Sequence, residues 1–124
     1  MTTSLRTIKT KEEYDKFQAE GNLKNGCKLC DKNEDDLIQE FKYWKIIKNK
    51  FPWDLISKLN HLMIPKRHTI YGELNEEEKK EQDFIKSDYI EGRYDIIAEA
   101  LPHAMSIPEH YHSHLIVLKD KIGE

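Results

Sequence analysis

Residues 110–118 read His-Tyr-His-Ser-His-Leu-Ile-Val-Leu, three imidazoles at alternate positions running into an apolar stretch. Successive side chains of a β-strand point to opposite faces, so this spacing puts His110, His112 and His114 on one face and Tyr111, Ser113 and Leu115 on the other. A buried imidazole needs partners for its ring nitrogens, and three protonated rings side by side would repel. The pattern therefore predicts a strand over 109–118 whose histidine face has work to do rather than a core to fill.

The remaining segments supply the rest of an α+β domain. Thr10 with Glu13 has the form of a capping box, and Tyr14 and Phe17 share a face, which predicts a helix over 10–20 ended by Gly21. The polar stretch 21–36 lacks an apolar period and reads as a loop. Aromatic and β-branched residues predict a strand over 41–47 and another over 59–64, with a turn at Phe51-Pro52-Trp53 between them and Pro65 as the stop. Asn75 with Glu78 starts a second helix that runs to Glu91, before Gly92, and Tyr94 to Ala98 reads as a further strand. A loop holding Pro102, His103, Ser106 and Pro108 leads into the histidine strand, and His103 reads as a surface residue.

Length and charge narrow the class. A chain of 124 residues suits one domain. Its formal charge of −3 disfavours nucleic-acid binding, which calls for a basic surplus on one face. The apolar runs are strand-sized, far short of the roughly 20 residues of a membrane helix, so no membrane partner is expected. Residues 1–10 lack an apolar signal core, and a cytoplasmic location follows as the expectation. The two cysteines form Cys27-Lys28-Leu29-Cys30, a spacing that in a reducing compartment suits a metal clip or a redox pair.

The 110–118 segment resembles the His-x-His-x-His-x-x signature of the histidine triad (HIT) family. Asn49-Lys50-Phe51-Pro52 followed by His61-Leu62-Met63-Ile64-Pro65-Lys66-Arg67-His68 is similar to that family's upstream block, and with the cysteine pair the resemblance spans residues 27–118, preceded by a lead-in over 1–24. It implies a single HIT-like domain over 1–124, with an antiparallel sheet of about five strands and helices packed on one side, that commonly pairs as a homodimer.

For chemistry, the resemblance makes His112 the nucleophile toward an α-phosphate, giving a covalent nucleotidyl-histidine. It sets His114 against the phosphate or leaving group, His61 as a support behind the triad, and Asn49 and Ser106 in the nucleotide pocket. Relatives with an amino-terminal Cys-x-x-Cys bind one structural zinc, and the carried-over ligands are Cys27, Cys30, His68 and His110. The implied activity is hydrolysis or nucleotidyl transfer on a small nucleotide, either a dinucleoside polyphosphate or a nucleoside phosphoramidate.

The chain also departs from the family. Residues 97–105, Ile-Ala-Glu-Ala-Leu-Pro-His-Ala-Met, lack the Gly-Gln pair and the asparagine that lie near the phosphates in many relatives. This leaves open a zinc-stabilised nucleotide-binding or adaptor protein with little catalysis. A third option is an enzyme whose three histidines hold a catalytic ion. Sugar-phosphate nucleotidyltransferases usually have glutamine where this chain has His114, which favours hydrolysis.

Overall fold

The structure, a computed structural model, describes residues 4–21, 27–30, 34–105 and 107–120. Helix α1 (Ile8–Ala19) is followed by strands β1 (Leu37–Glu40), β2 (Trp44–Lys48) and β3 (Ser57–Pro65), helix α2 (Glu76–Ile85), strand β4 (Ile96–Ala98) and strand β5 (Ser113–Leu118). The strands form one five-stranded antiparallel sheet in the order β1-β2-β3-β5-β4. The α+β class and the strand number agree with the sequence reading. None of the described helices is long and apolar enough to cross a membrane.

Period-two alternation sorts the strand residues onto two faces. Trp44, Ile46, Met63, Tyr111 and Leu115 form the main core with Leu74, Ile85 and Ile90, and α2 closes it, its Glu78 carbonyl accepting the Trp44 indole N–H at 2.9 Å. Burial of each such large side chain contributes about 1.5–3 kcal/mol. Ile47, Leu62 and Ile64 face the other way, where Leu29 covers them. Helix α1 lies on this second side, its Tyr14 and Phe17 rings each 5.1 Å from Phe51. The two helices are thus not on one side, as the sequence reading had them.

Several boundaries moved for identifiable reasons. The α1 cap is Thr7, whose side chain accepts the Thr10 N–H, so the helix starts a turn earlier than a Thr10 cap requires. The expected strand 41–47 is the second arm of a hairpin, and its first arm, β1, is a short, mostly exposed edge strand in which Leu37 and Ile38 are followed by Gln39 and Glu40 with no apolar alternation. Capping at Asn75 and Glu78 is reciprocal as expected, and the chain continues from α2 through one π-helical turn, Lys86–Ile90, before Gly92 takes a positive φ of 88°.

The histidine strand is shorter than the predicted 109–118. Its ladder with β3 runs from Ser57↔Leu118 to Met63↔Ser113 and stops there. Two residues farther along β3 is Pro65, which has no N–H to donate, and its carbonyl is taken by the His110 ring instead. The Tyr111 N–H turns to the Thr69 carbonyl at 2.7 Å. Only His114 of the three histidines is a ladder residue.

Candidate functional site

The alternation nevertheless persists through residues 110–114. Tyr111 enters the main core, while His112 and His114 line a cavity on the opposite face and His110 meets the cysteines on that same side. At this end Cys27, Cys30, His68 and His110 bring one donor atom each to within 4.8 Å of one another. The Cys27 Sγ to His110 Nδ1 distance is 3.5 Å, Cys30 Sγ to His110 Nδ1 is 3.3 Å, and Cys30 Sγ to His68 Nδ1 is 3.0 Å. Sulfur and nitrogen bound tetrahedrally at about 2.3 and 2.0 Å lie about 3.5 Å apart, so the four donors fit around one ion.

The local chain explains why these donors meet. Leu29, between the cysteines, is 7% exposed and anchors the Cys27–Cys30 turn against Ile47, Leu62 and Ile64. His68 follows Pro65-Lys66-Arg67, and the Arg67 guanidinium binds the buried Glu78 carboxylate at 2.7 Å, fixing that exit to the start of α2. His110 is fully buried, and its Nε2–H donates to the Pro65 carbonyl at 2.9 Å, which leaves Nδ1 as its ligand atom. Cys27 and Cys30 are not joined in a disulfide.

The cavity, about 360 Å³, is lined by Ile47, Asn49, Phe51, Trp53, Leu62, His112 and His114 among others. His112 donates from Nδ1 to the His110 carbonyl at 3.0 Å, so its lone pair sits on Nε2. Burial holds this imidazole below its ordinary value, while that hydrogen bond and the carboxylates of Glu99 and Glu109 pull the other way.

His114 has the reverse arrangement. Its Nδ1 is 3.2 Å from the side-chain nitrogen of Asn60 and 3.4 Å from the side-chain oxygen. The Asn60 oxygen already accepts from Asn49 Nδ2 and the Trp53 N–H, so its NH₂ group serves His61 O and His114 Nδ1. His114 therefore accepts at Nδ1 and carries its hydrogen on Nε2. Trp53 stacks on it at 3.7 Å between centroids, and burial, with the charges of His112 and Arg6, lowers its pKa to about 3. At neutral pH the two rings, 5.9 Å apart, are an exposed lone pair and an N–H donor.

The loop that carries Trp53 is fastened to α1. The Thr7 N–H and the Thr10 hydroxyl donate to Asp54, Leu55 N–H donates to Leu5 O, and the Arg6 Nε–H donates to Phe51 O at 2.8 Å. Through this loop the amino-terminal helix sets the position of the ring that covers His114.

The residues singled out from sequence divide accordingly. Cys27, Cys30, His68 and His110 come together, as do His112 and His114. His61 does not join them: it pairs with Leu115 in the ladder and points to the main-core face, where its Nδ1 meets the Tyr94 hydroxyl at 2.7 Å. One step along the strand reverses the face, and Asn60 is the residue that reaches the triad. Asn49 lines the cavity, but its amide is engaged with Asn60 and the Phe51 N–H. Ser106 lies outside the described residues, and His103 is exposed.

Asn60 was findable, because it shares a period-two face with Leu62 and Ile64 and is the polar member of that row. Arg6 had no sequence signal, since only the docking of α1 brings it to the cavity.

No family model matches the chain, and no curated protein does. A hypothetical protein from Leishmania major is similar in structure, with a TM-score of 0.52 and 18% sequence identity over 70% of this chain. The match spans 65% of that Leishmania chain and bears on the fold alone.

Proposed function

We propose that this chain is a nucleotide hydrolase or nucleotidyl transferase of the histidine triad type, with His112 as nucleophile. The observation that carries the reading is the opposite surroundings of the two Nδ1 atoms, a carbonyl at His112 and the Asn60 amide nitrogen at His114, beside a cavity of nucleotide-binding size. The His112 Nε2 lone pair attacks the α-phosphorus, an N–P bond forms, and the P–O bond to the leaving group breaks with its electron pair going to that oxygen. His114 donates its Nε2–H to an oxygen of the same phosphate. Water or another acceptor then forms a new P–O bond, the N–P bond returns its pair to Nε2, and the acceptor's proton passes to solvent. Aromatic Phe51 and Trp53 with Ile47 and Leu62 offer the base an apolar wall.

The metal we propose for the Cys27, Cys30, His68 and His110 cluster is zinc, which takes two thiolates and two imidazoles in closed structural sites. Bound there, it supplies a crosslink between the cysteine turn, the β3 exit and residue 110, whose carbonyl holds the His112 tautomer.

Incubation with a panel of adenylyl and guanylyl substrates, followed by mass spectrometry, tests the reading. A nucleotidyl adduct on the peptide containing His112 is the expected result. Turnover with no adduct there, undiminished in His112→Asn, contradicts it. The second reading, a nucleotide-binding protein with little catalysis, draws on the absent Gly-Gln pair and on His114 being only 5% exposed beneath Trp53. Nucleotide binding without adduct or turnover supports that alternative.

A further inference from the structure

The cavity wall opposite to the net charge of the chain is its least expected property. The protein carries a formal −3, yet among the described residues Arg6, Lys28 and Lys50 line the cavity against one carboxylate, Asp36. Lys48 also borders it, but its charge bears on His61, on the other face of the sheet. A pocket of this sign concentrates anions.

Arg6 is held in place by its neighbours. Its Nε–H is used on the Phe51 carbonyl and its guanidinium lies 4.3 Å over the Tyr14 ring, so the planar fork has a fixed direction. Among the described residues no carboxylate lies within ion-pair distance of it. Its near neighbour Asp54 is engaged by Thr7 and Thr10. Desolvation lowers the guanidinium's pKa, and the neighbouring Tyr14, Asp54 and Asp15 offset only part of it, so a ligand anion can supply the rest. Arg6 lines the same cavity as His112 and His114, and its charge is felt at His114.

We propose that Arg6 is a specificity-determining residue that grips a phosphate group beyond the one His112 attacks, so that the pocket selects nucleotides with two or more phosphates. The inference rests on the nucleotide reading above and refines it, separating polyphosphate substrates from nucleoside phosphoramidates. Two charge-assisted hydrogen bonds from a guanidinium fork match a phosphate's geometry, whereas an α-phosphate alone is already met by His112 and His114.

Calorimetric titration of AMP, ADP, GMP and GDP into His112→Asn, which cannot turn over, tests it. The diphosphate of the preferred base binds about tenfold or more tightly than the monophosphate, and adding Arg6→Gln removes that advantage while changing monophosphate affinity less than about threefold. Equal binding of mono- and diphosphate, or an equal loss for both in Arg6→Gln, overturns the proposal. Binding of none of the four overturns the nucleotide reading with it. A second measurement needs no substitution at Arg6: labelling with the arginine-selective reagent phenylglyoxal, read at Arg6 by mass spectrometry. ADP or GDP protects Arg6 and the monophosphates do not, and a lack of diphosphate protection again contradicts the proposal.

Discussion

His110 and His114 stand four residues apart on one side of the same chain segment, and their surroundings give them opposite uses. His110 spends Nε2–H on the Pro65 carbonyl and presents Nδ1 to two thiols. His114 spends Nδ1 on Asn60 and keeps Nε2–H for the cavity. Between them His112 is held through Nδ1 by the carbonyl of His110. The difference lies in which ring nitrogen a neighbour occupies, so the role of each histidine is set by Pro65, by Asn60 and by residue 110's own backbone.

The comparison breaks most sharply at the middle ring. His112→Asn is expected to lower turnover on the order of 10³-fold or more while leaving nucleotide affinity within about threefold, read by steady-state kinetics and calorimetry. Next comes the sulfur-rich end. Cys30→Ser should drop bound zinc from about one per chain to a small fraction in elemental analysis and lower the melting temperature by roughly 10–20 °C, as loss of a structural metal does. An unchanged melting temperature would make the cluster incidental to the fold.

His114 offers a pH test. Unfolded, its ring protonates near the ordinary value of 6.5, and folded only near about 3. Between those values the unfolded state binds more protons, so stability falls as pH falls through that window and is unaffected by this group above it. The slope from His114 is at most about 1.4 kcal/mol per pH unit. His114→Gln should be less acid-sensitive than the parent by up to that amount in urea titrations at matched pH; identical slopes would remove the buried, neutral ring. Smallest is His61→Gln, expected to change kcat/KM by no more than about threefold, because this side chain meets Tyr94 on the far face. A hundredfold loss would return His61 to the triad.

Legibility in the sequence followed the length over which a pattern repeats. The 110–114 alternation gave the correct faces even where the ladder had ended, because side-chain alternation needs only extended backbone. At His61 the family resemblance suggested a support for the triad, and strand parity puts the ring on the other face. Strand β1 was hidden because an exposed edge strand needs no apolar period, and Leu37, Gln39 and Glu40 are all solvent-facing. Tyr14 and Phe17 read as one face of a helix and Arg6 carried no reading of its own, and the place of all three at the cavity depends on α1 docking to the loop at Asp54, a tertiary fact. The cysteine pair was visible in the spacing as a metal clip or a redox pair, and the resemblance named its partners, while Leu29, which seats the pair, was not recognised.

The claim on which the account turns is that His112 and His114 are neutral and fixed in opposite tautomers. Nitrogen-15 NMR of histidine-labelled protein at pH 7 measures this directly, with His112→Asn and His114→Gln assigning the signals. The account predicts a protonated Nδ1 with a bare Nε2 at His112, and a bare Nδ1 with a protonated Nε2 at His114. The same tautomer at both positions, or a charged ring at His114, would contradict it.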